Sequence, residues 1–147
     1  MRQLLWIIAP AVLLALGCNK DGVDQWAIDQ DLIETYLEDN QINAERHSSG
    51  LYYLIEEPGS GTSPRSNSEV LAKYKGYLMD GSVFDQRTNT FFLSNTIAGW
   101  RIGIPLLKKG GKGKFFIPSG LGYGRQERPG IPANSVLIFE VELIDFQ

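Results

Sequence analysis

The sequence predicts an α+β fold, an antiparallel β-sheet wrapped over one short α-helix, and three observations carry that reading. Leu137, Phe139, Val141 and Leu143 alternate across residues 135–146, the two-residue period of a half-buried strand. Asp80-Gly81 lies between two apolar runs and reads as a two-residue hairpin, because glycine tolerates the positive backbone angle that such turns need. Residues 99–107 read as a helix and run into Lys108-Lys109-Gly110-Gly111, where cations suit a helix C-terminus and glycine suits the reversal. At 147 residues, 43% hydrophobic and 21% charged, the chain is long enough for one domain and a short appendage.

The elements follow in order. Arg2 precedes an apolar run over residues 4–16, about 13 residues where a membrane span needs ~20, so residues 1–17 are expected to be an export signal that is removed. Leu14-Ala15-Leu16-Gly17-Cys18 resembles a bacterial lipobox, with Ala15 where a larger aliphatic is usual. The alternative is a plain secretory signal with an incidental cysteine. Cys18 is the only cysteine and has no disulfide partner within the chain, so lipidation also gives it a reason to be there. Residues 18–23 are expected to be a polar tether.

In residues 24–43 apolar side chains fall at Trp26, Ile28, Leu32, Ile33, Tyr36 and Leu37, spaced as on one face of an amphipathic helix. That helix is either a spacer or a dimerisation element, within a helical segment assigned to residues 24–47; residues 48–147 form the main domain. His47 is the single histidine and is expected to be a solvated loop residue, so no metal site is expected. Strands are predicted at residues 50–55, 69–79, 83–84, 91–93, 112–117 and 135–146, with turn signals at Glu57-Pro58-Gly59-Ser60-Gly61 and a long glycine- and proline-rich loop over residues 118–134. Pro105 predicts that the helix is short or irregular. Loss of Arg2 with the signal takes the formal net charge from −3 to −4, which argues against nucleic acid as a partner.

Four pieces fall in one register: Val83-Phe84-Asp85, Ile97-Ala98-Gly99-Trp100, Gly122-Tyr123-Gly124 and the run from Val136 through Leu143. From about Ser48 onward the chain resembles the FKBP (macrolide-binding immunophilin) type of peptidyl-prolyl cis-trans isomerase. The resemblance implies a half-barrel, no cofactor and no metal. It also implies proline-containing unfolded or flexible polypeptides as substrates, and a macrolide as a candidate ligand. By the same resemblance Asp85 is the acid beside the bound carbonyl and Tyr123 the phenol that hydrogen-bonds it. Trp100 is then the pocket floor, Tyr74, Phe84 and Phe139 its aromatic walls, Thr96 and Ile131 smaller wall positions, and Ile97 the residue whose backbone N–H meets the ligand.

Each position has a plainer reading. Phe139 and Trp100 could be core residues, and Asp85 could pair with Arg87 or cap a turn; Tyr123, between glycines in a loop, is harder to explain as core. The chain between Phe84 and Phe91 is about five residues shorter than the family pattern, and a gapless count back from Trp100 puts Asn89 where an apolar wall is usual. Residues 124–132 keep a flap-like loop. The function expected is isomerisation of X-Pro bonds in exported proteins, by an enzyme lipid-anchored to the cell envelope. The alternative is a catalytically weak module or chaperone that holds proline segments in the same pocket.

Overall fold

The structure, a computed structural model, describes residues 24–147, so the predicted signal, lipobox and tether fall outside the described residues. Helix α1 spans Gln25–Asp39. It begins where it does because the Asp24 carboxylate accepts from the backbone N–H groups of Trp26 and Ala27, which have no partner within the helix. It stops short of residue 43 because Gln41 turns left-handed (φ 54°) and the Ile42 and Gln41 amides fold back onto the Leu37 and Glu38 carbonyls, a Schellman closure.

Six antiparallel strands form one sheet: β1 Glu45–Arg46, β2 Tyr52–Glu57, β3 Glu69–Tyr77, β4 Val83–Phe92, β5 Lys112–Ile117 and β6 Leu137–Phe146, in spatial order β1-β2-β5-β6-β3-β4. The β3–β4 hairpin has a three-residue loop rather than the two residues predicted. Gly81 N–H bonds the Leu78 carbonyl, and Gly81 then turns to φ 88° so that Leu78 N–H reaches the Ser82 carbonyl. The two strands predicted at 83–84 and 91–93 are one ten-residue edge strand; Leu93 opens a 3₁₀ turn, Leu93–Asn95. β1, too short to show a period in a stretch expected to be loop, pairs with Tyr52 and Tyr53 of β2. Helix α2 spans Ala98–Gly103 and continues as a 3₁₀ turn, Ile104–Leu106, around Pro105.

The sheet has a core on each face. Leu137, Phe139, Val141 and Leu143 of β6 join Phe115 and Ile117 of β5 and Val70, Ala72 and Tyr74 of β3 against α2. Ile138 of β6, Phe116 of β5 and Tyr52 of β2 point the other way and pack on Ile33 and Leu37 of α1. Alternation thus fills two cores from single strands. α2 lies close to β5 because its facing residues are glycines: a Cβ on Gly99 would lie 2.6 Å from Ile117, and one on Gly103 would lie 2.8 Å from Phe115. His47 is half-buried and its Nδ1 lies 2.8 Å from the Ser49 hydroxyl, a local turn contact.

Candidate active site

A cleft of about 880 Å³ opens between β4, the start of α2, the loop after β5 and the turn before β6. All nine residues singled out for catalysis or substrate binding line it. Their convergence is built by register. Gly76 of β3 stands opposite Asp85 of β4 and Phe139 of β6. A Cβ on Gly76 would lie 2.6 Å from both the Phe84 and the Phe139 rings. Only glycine leaves room for those rings to meet.

The β3–β4 register pairs Tyr77 with Val83 and Gly76 with Asp85, so Phe84 is skipped. This bulge lets two successive residues, Phe84 and Asp85, both reach the cleft, which regular pleating forbids.

Trp100 lies at the base, only 6% exposed, between Tyr74 (centroids 4.7 Å, planes at 81°) and Phe139 (5.0 Å, 77°). Phe84 meets Phe139 edge-on at 5.5 Å. Such edge-to-face contacts fix ring orientation, so the walls are preformed. The Trp100 indole N–H is buried with no acceptor among the described residues. Ile97 caps α2, and its N–H donates to no other group among the described residues; the Thr96 hydroxyl donates to the Leu93 carbonyl at 2.6 Å.

Polar groups gather at one side. The Asp85 carboxylate accepts from Arg87 Nε at 2.7 Å and from the Tyr74 hydroxyl at 3.0 Å. The plainer reading of Asp85, an ion pair with Arg87, is thus seen directly, and the pair lies on the cleft wall. Burial, and then the neighbouring Asp85 carboxylate, push the Tyr74 phenol up to about 12. It is thus a neutral hydrogen-bond donor at ordinary pH. Tyr123 faces this cluster from the loop after β5, with the Arg128 guanidinium 5.3 Å above its ring. Ile131 is buried at the far wall, where Arg128 and Ile131 exchange backbone hydrogen bonds and close the tip of the predicted flap.

Sequence reasoning missed Phe91 and Arg128. Phe91 tilts against Trp100 at 5.1 Å and supplies an apolar wall, while Asn89 also lines the cleft but is exposed. With β4 read as one strand, alternation from Asp85 through Arg87 and Asn89 would have put Phe91 on the cleft face.

The model of the FKBP-type peptidyl-prolyl cis-trans isomerase family matches residues 60–144. The chain belongs to that family. Among FKBP relatives, the FKBP-type peptidyl-prolyl cis-trans isomerase FkpA of Escherichia coli is 39% identical over 132 residues, 86% of this chain and 48% of its own. The chain spans about half the length of the curated relatives it matches. The crystal structure of Escherichia coli FkpA superposes with a TM-score of 0.75 at 38% identity, covering 87% of this chain and 62% of that one. That of a peptidyl-prolyl cis-trans isomerase from Pseudomonas syringae pv. tomato gives 0.71 at 28% identity, covering 82% of this chain and 95% of that one. The expected half-barrel is thus the FKBP fold.

Proposed function

We propose that this chain is a peptidyl-prolyl cis-trans isomerase that turns X-Pro bonds in unfolded or flexible exported polypeptides and so assists their folding. The observation that carries this is the preformed aromatic enclosure of Tyr74, Phe84, Trp100 and Phe139 beside the Asp85–Tyr74–Arg87 cluster. Rotation about the amide has a barrier of ~18–20 kcal/mol because nitrogen's lone pair is shared with the carbonyl. Twisting localises that pair and makes the carbonyl less polar. An apolar cleft that seats the proline ring therefore favours the twisted state over either planar form. A 10⁵-fold acceleration asks for about 7 kcal/mol of such preference. No bond is made or broken, and the reaction calls for no metal or nucleotide.

In this reading Trp100 is the floor beneath the proline ring, with Phe84, Phe139 and Ile131 around it and Thr96 at the rim. The Ile97 N–H and the Tyr123 hydroxyl hold the carbonyls on either side of the turning bond. Asp85, fixed by Tyr74 and Arg87, sets the field at the rotating carbonyl. The unit that does this is residues 48–147, preceded by a helical segment at 24–47. Residues 1–17 are read as an export signal and 18–23 as a tether whose Cys18 carries a lipid that holds the enzyme at the envelope; Cys18→Ala should then release the chain from the membrane fraction. Macrolides are candidate competitors for the same cleft.

The test is cis-to-trans isomerisation of a proline tetrapeptide by the chain beginning at Asp24, beside Tyr123→Phe and Asp85→Ala. Acceleration by the parent, reduced about tenfold in each folded variant as one directed polar contact is lost, supports the assignment. A folded parent without acceleration would leave only a module that binds proline segments.

A further inference from the structure

The loop that carries Tyr123 is fastened from outside the sheet. Asp29 of α1 is fully buried, and no cation pairs with it among the described residues. One carboxylate oxygen, Oδ2, accepts both the Ser119 backbone N–H at 2.7 Å and the Ser119 hydroxyl at 2.5 Å; the other, Oδ1, accepts from Gln25 Nε2 at 2.7 Å. Ser119, also buried, spends its carbonyl on two further bonds, from Gly122 N–H at 2.9 Å and Gly124 N–H at 2.8 Å. Those two residues flank Tyr123, and all three line the cleft. The Trp26 ring lies beside Gly120 of the same loop.

Burying a carboxylate among neutral donors is costly, and an apolar residue would fasten α1 to the sheet at less cost. What an apolar residue could not do is direct a loop. The carboxylate fixes both polar groups of one loop residue, and charge-assisted bonds are the short, directional kind. We propose that Asp29 is a positioning residue for Tyr123, acting from α1 through Ser119, so that the N-terminal helix is part of the active-site framework and more than a spacer. This rests on the isomerase reading for its consequence in turnover, but not for its geometry.

The experiment compares Asp29→Ala, Asp29→Asn and Ser119→Ala with Ile33→Ala in the chain beginning at Asp24. Ile33→Ala loosens α1 through its apolar contacts and leaves the carboxylate in place. Hydrogen exchange at the Gly122 and Gly124 amides and isomerisation kinetics are read for each. Asp29→Ala and Ser119→Ala are expected to speed exchange at those two amides on the order of tenfold relative to the rest of the sheet. They should lower kcat/KM on the order of tenfold, mostly in kcat, as Tyr123 loses its alignment. Asp29→Asn keeps an acceptor toward Ser119 and should restore much of both. Ile33→Ala should lower stability with neither signature. Equal effects of Asp29→Ala and Ile33→Ala on exchange and turnover would overturn the proposal and leave Asp29 a staple. Should the parent show no isomerase activity, the functional reading fails by itself. The exchange comparison then still decides: acceleration confined to Asp29→Ala and Ser119→Ala upholds the clamp, and its absence sinks it.

Discussion

Tyr74 joins the two chemistries of the cleft, its ring packed on Trp100 and its hydroxyl on Asp85. Its phenol is raised to about 12, as is that of Tyr52, which is pushed up by burial and then by its hydrogen bond to Glu34. A phenol unfolded in water ionises near 10, so between about pH 10 and 12 the folded state holds protons that the unfolded state has lost. Stability from these groups is complete below pH 10 and is lost as the pH rises through about 12. Urea midpoints measured from pH 8 to 12 should be level at first and then fall, and Tyr74→Phe should make that fall shallower. An equally steep fall in Tyr74→Phe would remove Tyr74 as a cause.

The placement of Trp100 depends on how closely α2 approaches β5, and two glycines one helical turn apart set that distance. Gly103→Ala would put a methyl carbon 2.8 Å from the Phe115 ring, which is fully buried and has no room to yield. Overpacking of this kind costs about 1–3 kcal/mol. The variant is expected to unfold at lower urea and, by lifting α2, to shift the Trp100 fluorescence; an unchanged urea midpoint would show that the helix can slide. The strands that were legible in the sequence are those with a regular period. β6 alternates from Leu137 through Leu143 because those odd-numbered residues fill the core under α2, and only past Leu143 does a register shift turn Phe146 in place of Asp145 toward it. β4 was legible only at its ends: as an edge strand its middle residues, Gln86 through Thr90, are polar and exposed, and apolar patterning is silent there. The bulge at Phe84 was hidden for a related reason, since a skipped residue shows only against its partner strand. The aromatics that line the cleft were legible through four motifs falling in one register; among them only Tyr123, between glycines in a loop, stood out by itself. Asp29 looked like any polar helix residue, since its partner Ser119 lies 90 positions away.

Across the whole molecule the sheet is covered on both faces, by α2 beneath the cleft and by α1 on the opposite side. The two cores share strands: Phe115 and Phe116 are neighbours in β5 that point into different cores, as do Leu137 and Ile138 in β6. α1 itself is tied to the rim of the cleft by the Asp29 carboxylate, which accepts from Ser119.

The strand order has a consequence for how the chain comes into being. β6 lies inside the sheet, bonded to β5 on one side and β3 on the other, and it follows every strand it joins. Until residues 137–146 emerge, β3–β4 and β1–β2–β5 are two separate groups of strands with nothing between them. A polypeptide delivered N-terminus first thus reaches its last strand before its sheet can close, and closure then waits on pairings distant in sequence, the slow kind.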